Sequence, residues 1–85
     1  MPIIDKTDSN YIYFYVGKQI RKYRKQKGWS QSKLASECNF TDTFISNLEN
    51  NAFQTISLNS LYHIAKVLGV PTKMLLDGLE EDVNE

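Results

Sequence analysis

The chain is poor in the side chains that carry chemistry. It has one cysteine, Cys38, and one histidine, His63. A single thiol excludes an internal disulfide framework and a multi-thiolate metal centre, and a reducing cytoplasm is the expected setting. The two residues lie far apart in the sequence, and no Gly-rich phosphate loop, HExxH string or GxSxG string accompanies them. Without a nucleophile–base pair or a metal cluster, neither an enzyme nor a cofactor is expected. No apolar run approaches the roughly 18 residues needed to span a bilayer, so no membrane association is expected. The opening residues, MPIIDKTDSN, lack the basic segment and apolar core of a secretory signal. Alternation with a period of two is missing, as are internal repeats, so no sheet is expected.

What is present is enough for one small domain: 85 residues, of which 41% are hydrophobic, a globular rather than a disordered composition. Such a chain works by engaging a partner molecule. Its formal net charge is zero, which taken alone argues against a polyanion. The distribution says otherwise. Lys18, Arg21, Lys22, Arg24, Lys25, Lys27 and Lys33 fall in one stretch without an acidic residue. Asp77, Glu80, Glu81, Asp82 and Glu85 close the chain without a basic one. The blocks cancel in the sum but not in space, because screening over roughly 8–10 Å hides one from the other. The basic block is either a surface for phosphate or a solvated helix face beside a fraying tail.

Helical spacing dominates. Ile12, Val16, Ile20 and Tyr23 trace one stripe, predicting a helix over about 11–27 with Asp8 or Ser9 as its cap and Gly28 at its end. The aromatic run 11–16 reads alternatively as a strand broken at Gly17; the stripe continuing through that glycine favours the helix. Ser30 caps a second helix, 31–37, with Leu34 and Ala35 inward, and Cys38-Asn39-Phe40 make a tight turn in which Asn39 is best suited to a left-handed backbone. Thr41 opens a third helix to about residue 50, with Ile45 and Leu48 inward, and a loop follows to Ile56. Ser57 caps a fourth helix carrying Leu58, Leu61, Ile64, Ala65 and Leu68, stopped by Gly69. Pro71 starts a fifth through Met74 and Leu75 to about Leu79. The organisation is therefore all-α: an N-terminal arm over 1–10, one helical domain over 11–79 and an acidic tail over 80–85.

The second and third helices, joined by a three-residue turn, make a helix-turn-helix, and Ala35 permits their close approach. The third is left with a polar outer face of Asp42, Thr43, Ser46 and Asn47. Short hydrogen-bonding side chains near a helix N-terminus suit base edges in a major groove, and helix N-termini suit phosphate.

The string Ile20-Arg21-x-x-Arg24-x-x-x-Gly28-Trp29-Ser30-Gln31-x-x-Leu34-Ala35, followed by Phe44-Ile45-Ser46-x-Leu48-Glu49, resembles the Cro/phage-repressor (Xre-type) helix-turn-helix family. The resemblance runs from about residue 16 to 76 and includes Leu61-x-x-Ile64-Ala65-x-x-Leu68-Gly69-Val70. Residues 43–57 also resemble the controller proteins of restriction–modification systems. The resemblance implies a compact five-helix, lambda-repressor-like domain whose members bind operators as two-fold dimers. It implies phosphate contact for Gln31, base contact for Asp42, Thr43 and Asn47 with Ser46 as neighbour, and backbone contact for Thr41 and Asn50. Arg24 and Glu49 match a partly buried salt bridge joining the first helix to the third. Met74, Leu75 and Leu79 fall where such proteins often dimerise, though ordinary core packing is the plainer reading. Two departures stand out: the reading helix has no lysine or arginine, and the loop after it is neutral.

Several residues also have readings apart from DNA. Asp42 is either a base contact or an N-terminal residue stabilised by the helix dipole. Cys38 and Trp29 read as core, and His63 as a partly exposed residue of the fourth helix. Tyr11, Tyr13 and Tyr15 either cover the core or form a self-association surface. The expected function is a sequence-specific regulator binding double-stranded operator DNA as a homodimer, with Arg21 and Lys33 neutralising phosphate. The alternative is an antitoxin-like module that binds a protein partner and also represses its own operon.

Overall fold

A computed structural model describes residues 5–50 and 52–83, the last two by their backbone only. The beginning of the expected N-terminal arm, Asn51 and the end of the expected tail lie outside the described residues. The order is α1 (Tyr11–Gln26), α2 (Gln31–Cys38), α3 (Asp42–Glu49), α4 (Leu58–Leu68), a 3-10 turn (Thr72–Leu75) and α5 (Leu79–Val83). Among the described residues there is no strand, and the aromatic run 11–16 is helical.

Local chemistry sets most of the boundaries. Ser30, Thr41 and Ser57 sit in extended conformation, and their hydroxyls accept from the amides of Lys33 at 3.0 Å, Phe44 at 3.1 Å and Ser60 at 3.2 Å. Each such cap contributes about 1 kcal/mol. Asn39 takes the left-handed conformation (φ 60°) and closes α2, which runs through Cys38. The start of α1 differs from the expectation. Its N-cap is Asn10 with no side-chain cap bond, because the Asp8 carboxylate is used one step earlier, accepting from the Asn10 amide at 2.8 Å.

The core lies where α1, α2, α3 and α4 meet: Ile20, Leu34, Ala35, Ile45, Ile64, Ala65 and Leu75 are fully buried. The inward face of α1 is Tyr11, Tyr15, Val16, Gly17, Ile20 and Arg24, rotated from the predicted stripe, and Ile12 is exposed. Tyr11 and Tyr15 are therefore core residues, while Tyr13 rests edge-on against Phe53, their ring centroids 6.2 Å apart. Gly17 lies at the crossing of α1 and α3. A β-carbon there would stand 1.7 Å from the Leu48 carbonyl oxygen, so only glycine lets the two backbones come this close.

The C-terminal segment corrects the single fifth helix predicted over 71–79. After one 3-10 turn the chain reverses through Gly78 (φ 85°) and re-enters a helix at Leu79 that runs to Val83, into the stretch expected as a tail from residue 80. Two side chains of α1 account for the break. The Tyr15 hydroxyl donates to the Asp77 carbonyl, and Gln19 Nε2 donates to the Met74 carbonyl at 3.0 Å. The Asp77 carbonyl is drawn onto α1, the Met74 carbonyl is shared between Gln19 and the Asp77 amide at 3.4 Å, and the Tyr15 hydroxyl occupies the space a side chain at position 78 would need.

Candidate nucleic-acid interface

Three elements converge on Glu49. Arg24 on α1 meets the carboxylate side-on, Nε to Oε2 at 2.8 Å and Nη2 to Oε1 at 2.7 Å. Its Nη1 donates to the Trp29 carbonyl at 2.6 Å, and Gln31 Nε2, from the start of α2, donates to Glu49 Oε1 at 3.1 Å. The pair is nearly sealed, with the Arg24 side chain 8% exposed and that of Glu49 fully buried. Hydrogen bonding to Glu49 pushes the Arg24 guanidinium above its ordinary range, so its charge is permanent. Two parallel bonds fix direction as well as distance. The network therefore locks α3 to α1 and to the first turn of α2.

Outside this frame lies a polar surface. Thr41, Asp42, Thr43 and Asn50 are exposed, and Ser46 and Asn47 are half-buried. Ser32 donates to Asp42 Oδ2 at 2.5 Å, tying the first turn of α2 to the tip of α3. Asn50 donates to the Ser46 hydroxyl at 2.9 Å, and Asn47 reaches Gln54 at 3.4 Å, long enough to be released cheaply. Thr43 makes no side-chain hydrogen bond within the described residues. Lys33 is exposed and holds Glu37 at 3.1 Å, a surface pair worth little. Gln31 is half-buried and Arg21 exposed.

A short helix, a left-handed turn at Asn39 and a second short helix with a solvent-facing polar side form one rigid unit. A profile of the helix-turn-helix domain family matches residues 17–81. The chain belongs to this family of helix-turn-helix regulators. It is 40% identical over 70 residues to the control protein C.BamHI of Bacillus amyloliquefaciens, a match covering 81% of this chain and 85% of that protein. It is 35% identical over 66 residues to the transcriptional regulator SinR of Bacillus subtilis, covering 78% of this chain. The chain spans 60% of SinR's length. Among solved structures, the restriction–modification controller C.Esp1396I, as a tetramer with its natural 35 base-pair operator, superposes with a TM-score of 0.72 at 29% identity, over 88% of this chain and 97% of that one. SinR in complex with DNA superposes at 0.68 and 35% identity, over 73% of this chain and 98% of that one. These relatives are named as regulators and controllers, not as enzymes.

In this helix-turn-helix chain the turn before α3 is braced by contacts that the sequence does not mark. His63 Nε2 lies 3.0 Å from the Cys38 carbonyl, and its ring meets Phe40 edge-on, which in turn meets Phe44. The turn between α2 and α3 is thus clamped by α4. Cys38 is buried, and burial pushes its thiol up to about 11, so it packs as a neutral apolar group. Trp29 is half-buried against the core with Lys27 and Lys33 ammonium groups 4.7 and 5.7 Å from its ring centre. A glycine inside an otherwise amphipathic helix was the available signal for Gly17; nothing local marks His63.

The residues expected to dimerise separate. Leu75 is fully buried in the core between α1 and α4, and this removes it from any surface. Its inward direction follows from the 3-10 turn, which places Leu75 rather than its neighbours beneath α1. Met74 is half-buried, and Leu79 is half-buried beside Tyr11 and Ile12 in a shallow groove. Among the described residues no cluster of His, Cys, Asp and Glu could hold a metal ion, and no helix is long and apolar enough to cross a membrane.

Proposed function

We propose that this chain is a sequence-specific regulator that inserts α3 into the major groove of a two-fold-symmetric operator, acting as a homodimer. The observation that carries the reading is the exposed polar side of α3 held rigid by the Arg24–Glu49–Gln31 network. Asp42, Thr43, Ser46 and Asn47 would face base edges: a carboxylate can accept from cytosine N4, and an asparagine can bond adenine through two contacts. Arg21, Gln31, Lys33, Thr41 and Asn50 would hold the phosphate backbone on either side. That SinR and C.Esp1396I have been solved with DNA supports this reading, and the C.Esp1396I assembly on its operator supports oligomeric binding. Met74 and Leu79 remain for the dimer contact, with half-sites about one helical turn, roughly 34 Å, apart. The antitoxin-like alternative draws no support from the named relatives.

The test is a titration against the DNA upstream of the chain's own coding sequence, beside an unrelated duplex, at two salt concentrations. A preference for the upstream DNA that Thr43→Ala or Asn47→Ala reduces by ~1–3 kcal/mol, each at one base step, supports the reading. Equal affinity for both duplexes, or a preference unmoved by both substitutions, overturns it.

A further inference from the structure

Apart from Arg21, the outer side of α1 has no part in the DNA contact proposed above. Lys18, Arg21, Lys22 and Lys25 recur at spacings of three and four, so their stems leave one face of the helix. With Phe14 and Glu49 they wall a shallow groove of about 460 Å³ between α1 and the C-terminal end of α3. All four cations are exposed, and among the described residues none of them is in an ion pair. The Lys18 ammonium lies 5.4 Å from the Phe14 ring centre, which orients it without neutralising it. Glu49 is also among the lining residues, but its side chain is fully buried, its charge is balanced by Arg24, and its oxygens accept from Arg24 and Gln31.

Four like charges within about two helical turns repel one another, and such pairs destabilise an isolated helix. Among the described residues, Asp77, Glu80 and Glu81 form no ion pair with them. Leu79 and Glu80 sit against Lys6, Thr7, Asp8 and Ile12, at the opposite end of α1. The groove also adjoins the proposed DNA face at the C-terminal end of α3, since Glu49 is among its lining residues and accepts from Gln31.

We propose that this groove is a second phosphate track, which follows the DNA backbone beyond the phosphates held at Gln31 and Lys33 and adds affinity without base recognition. It rests on the DNA-binding reading above. The track supplies the positive charge that the reading helix lacks. Its ligand is the phosphodiester backbone of double-stranded DNA, and an acidic protein segment is the rival occupant.

The experiment uses the full chain, the upstream duplex and an unrelated duplex, titrated between roughly 50 and 200 mM salt. In Lys18→Gln/Lys22→Gln/Lys25→Gln, the plot of log K against log salt should be shallower by about 0.9 per lost phosphate, roughly 2–3 for the triple variant. The ratio of upstream to unrelated affinity should not change, and the thermal midpoint should hold or rise as repulsion is relieved. A wild-type slope in the variant overturns the track, and it is the result expected if an acidic protein segment is the true occupant. Trimming base pairs from both ends of the upstream duplex is the arm that needs no variant. Wild-type affinity should fall stepwise as flanking phosphates are lost, and indifference to trimming overturns the proposal. Wild-type protein that binds both duplexes equally overturns the sequence-specific reading instead, while the slopes still decide the track.

Discussion

Replacing Gly17 by alanine is the smallest change that should disturb the whole reading surface. The added methyl would sit 1.7 Å from the Leu48 carbonyl oxygen and 2.8 Å from its carbon, about 1.5 Å inside any tolerable contact. The obstacle is helical backbone, which cannot rotate aside as a side chain can. Either α3 moves outward or α1 bends. Overpacking of this kind costs about 1–3 kcal/mol, commonly more when backbone is displaced, and alanine's better helix propensity returns at most about 1. A net loss of about 2 kcal/mol lowers the thermal midpoint of a domain this size by roughly 8–16 °C. The same displacement separates Glu49 from Arg24 and tilts α3, so operator preference should fall even at temperatures where the variant is folded. Calorimetry together with an operator titration on folded protein provides the check. A midpoint within a degree or two of the parent, with operator preference intact, would refute the close-approach reasoning.

Removing one partner of the inner ion pair should be worse than removing both. Glu49→Ala leaves Arg24 partly buried without a carboxylate and should cost about 3 kcal/mol in urea denaturation, whereas Arg24→Met/Glu49→Leu should recover most of that while operator affinity stays low, because Gln31 has lost its acceptor. The Cys38 thiol should be silent towards alkylating reagents in the folded chain at pH 8 and reactive in denaturant. An unfolded thiol ionises near 9 and the folded one at about 11, so the stability linked to its burial is complete below pH 9 and is lost as pH rises through 11, which denaturation across that window measures. Tyr15→Phe removes the hydroxyl held by the Asp77 carbonyl and should cost about 1 kcal/mol, with hydrogen exchange quickening at residues 77–83 ahead of the rest. Asp42→Asn keeps an acceptor for Ser32 but removes the charge at the tip of α3; binding to unrelated DNA should tighten by roughly 1 kcal/mol while preference at one base pair drops.

Legibility followed the range of the interaction. Hydroxyl caps act over three residues, so Ser30, Thr41 and Ser57 can be read directly from the string, as can the left-handed Asn39. The inward faces of α2, α3 and α4 are equally local, because burial follows helical period. The face of α1 is less so. Ile12 looks apolar enough to be buried, but tyrosines at 11 and 15 take the interior because one of them finds a carbonyl 62 residues away. That same bond, with the one from Gln19, breaks what spacing alone reads as a continuous fifth helix. The partners of Gln31 and His63 are likewise long-range, and Gly17's role depends on a carbonyl in another helix. What the sequence could not show, in each case, was a contact between residues far apart along the chain.

The charge arrangement then has a consequence for how such a surface would work. A reading helix with no cation of its own gains little from generic phosphate attraction, and the one exposed charge at its tip, Asp42, opposes it. The permanent cation nearest to it, Arg24, is committed to Glu49. On the proposed reading, attraction comes from α1 and the start of α2, whose lysines and Arg21 are exposed. On the proposed reading, affinity and discrimination fall to different helices, which the Arg24–Glu49–Gln31 network joins. A rigid joint matters more here than in a protein whose reading helix is itself basic. If α3 were loose, α1 would still hold the duplex, but the neutral side chains of α3 would have no charge to pull them into register.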